Sequence, residues 1–269
     1  MNKQSLMMRP LSEEQIRQNA PQVYAPAPKP GLSARYTFLP TSQIITDMEK
    51  LGWKVCSAEA NRSRSKVIQE FGTHRVRFFH PDIFLRDQDG NIESYVMFIL
   101  YNSHAGLGGF KMTTGLYRLV CSNGLVIQDK DFGSFEIRHV GYSFEQLQET
   151  ISHVIDRLPE VVGKINDYNQ VILTEKQQFA FAKKALQLRS NPEYSPTRKE
   201  LVEFLTPRRP EDQGDSLWVI LNRVQEAVLN GGYYLTNAKG KPRKAKSIRN
   251  IQKDLQLNQQ IWELATQYA

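Results

Sequence analysis

The chain contains 269 residues, 40% of them hydrophobic, with a net charge of +7 at pH 7. This length is enough to bury a sizeable core in one large domain or two small ones. No run of eighteen apolar residues occurs, so we expect no membrane-spanning helix, and the first ten residues lack the apolar stretch of a secretory signal. Two cysteines, Cys56 and Cys121, are too few for a disulfide framework. We therefore expect a cytoplasmic protein in which both thiols are reduced, buried and structural.

The positive charge is concentrated near the C-terminus. Between Lys239 and Lys253, here called the basic segment, the chain carries seven basic residues and no acidic ones. Outside the basic segment, basic and acidic residues are equal in number, so the whole excess lies in these fifteen positions. Such a concentration favours a polyanionic partner, but a solvated loop that only aids solubility accounts for the charge equally well.

The N-terminal half of the chain is predicted to contain both helices and strands. Residues 1–33 have a capping box at Ser12 and four prolines between Pro21 and Pro30, which predict a short helix and an extended linker outside the core. Thr41 is expected to cap a helix that ends at Gly52. Turn residues at 87–91 join two long runs and predict a hairpin. Strands are predicted from aromatic and β-branched runs at 35–39, 53–58, 73–85, 92–101, 110–120 and 132–140, although the apolar residues at 116, 119 and 120 would also suit a helix.

From Ser143 onward the apolar residues repeat with a period of 3.6. Capping boxes at Ser143 and Thr174 each precede an apolar helical face, and Pro159 is expected to interrupt the first of these helices. More helices are predicted near 199–205, 216–229 and 247–267. Because strands precede helices, we predict an α+β fold, with a central and mostly antiparallel sheet in residues 34–142 and a helical region, residues 143–269, packed on it.

Motifs for catalysis and cofactor binding are missing. The glycines from Gly106 to Gly109 are not followed by the spacing of a phosphate-binding loop, so we expect a flexible turn that binds no nucleotide. No histidine has a second histidine or cysteine at a metal-ligand spacing, and a hairpin turn explains Asp87 and Asp89 better than a calcium loop. We therefore expect a non-enzymatic protein without metal or cofactor.

Two segments outside the basic segment fit a nucleic-acid surface. The first contains Arg62, Arg64 and Lys66 in a polar stretch between predicted strands. Arg75 and Arg77 follow at alternate positions of a predicted strand and so share one face of the sheet. The second offers Tyr117 beside Arg118, a ring and a charge of the kinds that bind single strands, although Tyr117 also suits a core. The candidate nucleic-acid-binding residues are Arg62, Arg64, Lys66, Arg75, Arg77, Lys111, Tyr117, Arg118, Lys239, Lys241, Arg243, Lys244, Lys246 and Arg249.

The middle of the chain resembles a family of uncharacterised phage- and plasmid-borne proteins. The resemblance rests on Asn102-Ser103-His104 and on Arg118-x-x-Cys121-x-Asn123-Gly124, with Ala105 at a position where the family commonly has an acid. Stretches at 217–222, 231–232 and 257–265 are similar to the C-terminal part of the family. The resemblance extends over roughly residues 35–268 and implies a mobile-element setting, without implying an activity.

The order of elements in residues 41–158 is also similar, at the level of fold alone, to phage single-strand annealing proteins of the RecT and Redβ type. We therefore hypothesise a non-catalytic, self-associating protein that binds or anneals single-stranded DNA, with no membrane partner. The alternative is an interaction protein that binds a host or plasmid protein and no nucleic acid.

Overall fold

The computed structural model describes residues 8–33, 36–61, 63–86, 90, 92–106, 110–118, 123–126, 134–135, 142–190, 193–236 and 241–269. The chain divides into two compact units. Unit 1 comprises residues 1–124 and 128–158, and unit 2 comprises residues 125–127 and 159–269. Strands dominate the middle of the chain and helices its C-terminal part, which confirms the α+β fold with a mostly antiparallel sheet.

Unit 1 is built on one sheet. In the described residues the strands follow the order β1-β2-β3-β4-β5, and β6 also pairs with β4. The pairs of β1 with β2, β2 with β3, β3 with β4 and β4 with β6 are antiparallel. The elements are α1 Glu13–Asn19, α2 Thr41–Lys50, β1 Lys54–Ala60, α3 Lys66–Phe71, β2 His74–Arg86, β3 Ile92–Asn102, β4 Lys111–Arg118, β5 Asn123–Val126, β6 Ser134–Phe135 and α4 Phe144–Asp156.

The core of unit 1 forms around β3, because this strand lies inside the sheet and its apolar run has neighbours on both sides. Every residue of β3 from Ser94 to Asn102 is buried. On one face, Phe98 meets the ring of Trp53 edge to face, with the ring centroids 4.6 Å apart. The amphipathic helix α2 buries Ile44 and Met48 completely. A continuous apolar strand therefore marks the centre of this unit.

The proline-rich N-terminal segment differs from the expected free linker. Ile16 and Val23 are buried, and the Leu11 amide donates to the Val55 carbonyl with an N···O distance of 2.7 Å. Further along, the Lys29 amide donates to the His104 carbonyl at 2.9 Å. A few buried apolar side chains and backbone hydrogen bonds thus hold this segment against unit 1. Its prolines limit the secondary structure that the segment can form, but they do not prevent it from packing.

Unit 2 is helical. Its elements are α5 Leu158–Gln170, α6 Glu175–Arg189, α7 Arg198–Leu205, α8 Leu217–Asn230, β7 Tyr234–Thr236, β8 Pro242–Lys244 and α9 Ile251–Ala265. All residues of α8 from Ile220 to Leu229 are buried, so this helix forms the centre of the unit. Helices α6, α7 and α9 pack against it. No helix in the described ranges is both long and apolar enough to cross a lipid bilayer.

Several local predictions are confirmed and others need correction. Capping boxes form at Ser12 and Thr174, and Ser143 caps α4. Thr41, expected to be a cap, is instead the first residue of α2, and its hydroxyl makes no capping hydrogen bond. The described residues 36–39 form no strand. The turn residues 87–89 and 91, most of the predicted strand 132–140, and Cys121 lie outside the described residues.

Candidate nucleic-acid interface

The basic segment is held to the end of α8 by its backbone. Gly231 and Gly232 have φ values of 66° and 92°, which end the helix and turn the chain. The Gly232 amide donates to the Ala245 carbonyl at 2.9 Å, and the Ala245 amide donates to the Tyr233 carbonyl at 2.8 Å. A Cβ on Gly231 would lie 2.4 Å from the Ala245 carbonyl oxygen. Gly231 is therefore required by both its positive φ and the close approach of Ala245, and Gly232 by its positive φ.

The expected loop around Pro242 is partly a strand. Residues Pro242–Lys244 form β8, which pairs antiparallel with β7. One carboxylate fixes this hairpin to α7: Glu200 accepts from the Thr236 amide at 2.6 Å and from the Tyr194 hydroxyl at 2.9 Å. The Glu200 side chain also completes the capping box with Thr197. Although burial raises the pKa of Glu200, these hydrogen bonds lower it to about 2, so the anchor is charged at neutral pH.

The cations of the described part of the basic segment point to solvent. No carboxylate of the described residues lies within ion-pair distance of Arg243, Lys244, Lys246, Arg249 or Lys253. Their charges are thus available to an external anion. The exposed basic residues are Lys241, Arg243, Lys244, Lys246, Arg249 and Lys253.

An open groove of about 870 Å³ runs beside the hairpin. Basic side chains outnumber acidic ones in its lining by five to one, Glu193 being the acidic residue. Serine and threonine hydroxyls and the ring of Tyr194 complete the surface. The groove is lined by Arg189, Ser190, Glu193, Tyr194, Ser195, Leu235, Thr236, Arg243, Lys244, Ala245, Lys246, Ser247, Ile248 and Lys253.

Arg189 was not predicted from the sequence. It is the last residue of α6, and its Nη2 donates to the Lys246 carbonyl, 57 positions further along the chain. Its guanidinium carbon lies 5.8 Å from the ring centroid of the buried Tyr233. Its sequence position at a helix C-terminus indicates only a favourable interaction with the helix dipole. Only the folded chain brings it to the basic segment.

Arg75 and Arg77 share one sheet face, as their alternation predicts, but that face is not open. Their side chains are 6% and 15% exposed. Both pair with Glu59 on β1, at 2.5 Å from Arg75 and 2.6 Å from Arg77. The cause is the strand register, which places Glu59 directly opposite Arg75. These two guanidinium groups therefore already have a carboxylate partner inside the protein.

The other predicted residues of unit 1 are scattered. Arg118 is buried and its Nε lies 3.7 Å from an oxygen of Glu93. Tyr117 is half-buried and packs on a cluster that contains Phe79 and Tyr95. Lys111 is half-buried at the start of β4. Among the residues that the structure describes, Arg64 and Lys66 are exposed, whereas Arg62, Lys239 and residues 107–109 of the glycine loop lie outside that part of the chain.

The Asn-Ser-His segment forms a buried polar network. Thr41 Oγ1 lies 2.7 Å from His74 Nε2 and 3.3 Å from His104 Nε2, and it accepts from Asn102 Nδ2 at 3.0 Å. His74 Nδ1 lies 3.0 Å from the Gly72 carbonyl oxygen, which assigns its proton to Nδ1. The Thr41 hydroxyl then donates to His74 Nε2. Burial lowers the pKa of His74 to about 4, so the ring is neutral at pH 7.

All four side chains of this network are at most 1% exposed. A ligand in solvent therefore cannot reach them in the folded state. The segment that carries the family resemblance joins α2 to the ends of β2 and β3.

Carboxylates in unit 2 also have internal partners. Glu226 accepts two hydrogen bonds from Arg209, at 2.7 and 2.9 Å, and Asp212 accepts one at 2.9 Å. Arg223 donates to the carbonyls of Asp212 and Gly214. Within the described ranges no group of three or more histidine, cysteine, aspartate or glutamate side chains has the geometry to hold a metal ion. This acidic group is therefore an internal ion-pair network.

Comparisons with known proteins confirm that the chain resembles a family of uncharacterised proteins. A family model described as "Domain of unknown function (DUF932)" matches residues 31–262. Two relatives from Escherichia coli strain K12 are UPF0380 protein YafZ and UPF0380 protein YfjQ. Each is 30% identical over 257 residues, which cover 96% of this chain and 91% of the relative. No solved structure matches. The chain therefore belongs to the DUF932 family.

Proposed function

We propose that this protein binds single-stranded nucleic acid in the groove of unit 2. The observation that carries the proposal is the convergence of five basic side chains on one groove, four of them from the segment that holds the entire charge excess. A polyanion bound there would release counterions, which supplies most of the sequence-independent affinity of proteins for nucleic acid.

The free protein offers little internal competition for such a ligand. Arg243, Lys244, Lys246 and Lys253 are exposed and have no carboxylate of the described residues within ion-pair distance. Contacts with phosphates at the surface leave these cations partly hydrated, so they avoid most of the desolvation cost of a buried ion pair. By contrast, Arg75, Arg77 and Arg118 pair with carboxylates of unit 1, and we leave them out of the proposed interface.

Two aromatic residues support a single strand over a duplex. Tyr194 lines the groove, and Tyr234 is 46% exposed on β7, directly opposite Lys244 in the hairpin. Unpaired bases can stack on such rings, whereas bases in a duplex already stack on one another. Neither residue was predicted from the sequence.

The proposal is tested by measuring the affinity for a fluorescent oligothymidine at several salt concentrations. Four phosphate contacts would give a slope of log affinity against log salt of about −3, at roughly −0.7 per contact for a single strand. The test variant replaces four groove cations by glutamine: R243Q, K244Q, K246Q and K253Q. The control variant removes four exposed charges from α6 and α7, outside the groove: K176Q, K183Q, R198Q and K199Q.

We expect the groove variant to flatten the slope and to weaken binding to all sequences alike, and the control variant to bind almost as the wild type does. Equal losses in the two variants would show that net charge, and not this groove, drives binding. If the wild type shows no salt-dependent binding at micromolar concentration, the proposal is wrong and the interaction-protein hypothesis replaces it.

Annealing, self-association, and a cytoplasmic mobile-element setting are further parts of this proposal. One groove on one chain holds one strand, so annealing two strands requires at least two copies. The rate at which complementary oligonucleotides pair should therefore rise more steeply than linearly with protein concentration. A linear dependence would restrict the protein to binding alone.

A further inference from the structure

The two walls of the groove meet at one buried oxygen atom. One wall consists of residues 189–190 and 193–195, and the other consists of the hairpin of β7 and β8 with the segment that follows it. Glu200 Oε1 accepts a hydrogen bond from the Thr236 amide of the hairpin at 2.6 Å and from the Tyr194 hydroxyl of the first wall at 2.9 Å. The Glu200 side chain therefore bridges the walls, although it is buried and does not line the groove.

Helix capping alone does not require a glutamate at this position. Glu200 Oε2 accepts from the amide and the hydroxyl of Thr197, at 2.8 and 2.9 Å, and so completes the capping box of α7. In α1 and α6 a glutamine does the same, since Gln15 and Gln177 accept from the amides of their N-cap residues. A glutamine has one acceptor oxygen and a carboxylate has two. The second oxygen is what the bridge between the walls requires.

The ring of Tyr194 is held at both of its ends. Its hydroxyl donates to Glu200, and its backbone carbonyl accepts from Gln187 Nε2 at 3.0 Å. Burial and the contact with Glu200 raise the pKa of the Tyr194 hydroxyl to about 12, so it remains a donor at neutral pH. The side chain is only half-buried and lines the groove, so a base in the groove can reach the ring that these contacts hold in place.

We propose that Glu200 is the positioning residue that lets the groove bind a base and its adjoining phosphate together. This inference rests on the proposed function and names what the groove recognises: an unpaired base on the ring of Tyr194, with the phosphate at Arg243 and Lys244 of the hairpin. A nucleotide holds these two groups at a limited range of separations, so the ring and the cations must be held at a matching one. A bridge that exists before binding removes the cost of ordering the walls around the strand.

The test variants are E200Q and Y194F. E200Q keeps one oxygen for the capping box and places an NH2 group, which cannot accept from the Thr236 amide, in the bridge. Y194F keeps the ring and all charges but removes the hydroxyl. The control, E203Q, removes the same negative charge one turn further along α7. Glu203 accepts from the Tyr234 amide at 3.0 Å, and a glutamine oxygen can make the same contact.

Electrostatics and positioning predict opposite results for E200Q. Loss of a negative charge beside a basic groove should by itself strengthen the binding of a polyanion, as we expect for E203Q. If Glu200 positions the walls, E200Q and Y194F should instead each weaken the binding of oligothymidine by roughly 2- to 10-fold, the effect of one lost hydrogen bond. The double variant should bind no more weakly than the weaker single variant, because both changes break the same bridge.

An abasic strand of the same length shows whether bases are involved. It has the same phosphates but no bases, so neither variant should weaken its binding, and the salt slope for oligothymidine should stay as in the wild type. A merely structural loss of the hairpin would weaken the binding of both strands and flatten the slope, because the cations would move apart. That result would overturn the inference, and so would equal affinity of the wild type for the two strands.

The two proposals fail in different ways. If the wild type shows no salt-dependent binding of oligothymidine, the nucleic-acid proposal is wrong and this inference falls with it. If the wild type binds with a steep salt slope and E200Q binds as tightly or more tightly, the groove binds strands, but Glu200 only caps α7 and anchors the hairpin.

Discussion

Lowering the pH from 7.5 to 5 is expected to destabilise unit 1 through His74. This ring is fully buried, and burial holds its pKa at about 4, below the ordinary value of 6.5. Above pH 6.5 neither the folded nor the unfolded ring carries a proton, so the full stability is present. Below pH 6.5 the unfolded chain takes up the proton first, and stability is lost until the pH reaches about 4.

The two pKa values give the magnitude. At pH 5 the linkage amounts to about 2 kcal/mol, and its limit at low pH is about 3.4 kcal/mol. Glu59 and Glu200 also have lowered pKa values, although burial alone would raise them. Glu59 lies beside the cations of Arg75 and Arg77, and Glu200 accepts hydrogen bonds from backbone amides, and these interactions outweigh the effect of burial. Carboxyl groups in the unfolded chain titrate near pH 4.5, so most of their contribution is lost only below pH 5. At pH 5 the histidine effect therefore dominates.

The assay is amide hydrogen exchange of peptides from β2 and β3, corrected for the intrinsic rate, because these peptides report on unit 1 alone. The variant H74N keeps a donor for the Gly72 carbonyl but cannot titrate. Each protein is compared with itself at pH 7.5, so a general loss of stability in H74N does not matter. The exposed His153 provides the control, H153N.

We expect the wild type and H153N to lose about 2 kcal/mol of opening free energy at pH 5, and H74N to lose much less. An equal loss in wild type and H74N would refute the reasoning, since the acid sensitivity would then arise elsewhere.

Two further predictions concern single residues. G231A should destabilise unit 2 and weaken oligonucleotide binding, because residue 231 has a positive φ and the new Cβ would collide with the Ala245 carbonyl. The control G163A, on α5 with open space around it, should be neutral or should stabilise the protein by roughly 1 kcal/mol in thermal unfolding. In a C121S background, Cys56 should react with a bulky thiol reagent far more slowly than in urea, because burial raises its pKa to about 12; equally fast labelling in the native protein would contradict this.

Local signals explain what could be predicted of the fold. The long strands β2 and β3 and the capped helices α4 and α6 follow from patterns within one segment. Helix α5 was missed, because Pro159 was interpreted only as an interruption, although proline also suits the first turn of a new helix. β8 was missed because it depends on pairing with β7 and on the anchor at Glu200.

The candidate site also combines features that are visible within one segment of sequence with contacts that form only in the folded chain. The charge of the basic segment is a property of composition and could be counted from the sequence. The involvement of Arg189 depends on a contact across 57 positions, which no periodicity contains. Alternation correctly placed Arg75 and Arg77 on one face, but the partner that occupies them, Glu59, is set by the register between two strands. Sequence alone therefore overestimated the number of available cations.

The backbone of the basic segment is tied to α8 and its end by hydrogen bonds from the amides of Ala245 and Ile248. Cations on a free loop can move apart, but cations on a fixed backbone must tolerate their mutual repulsion, which is weakened only by screening ions. Without a bound anion, repulsion between these cations therefore destabilises unit 2, most strongly at low ionic strength. A bound polyanion reduces this repulsion, so its binding and the folding of unit 2 are thermodynamically coupled.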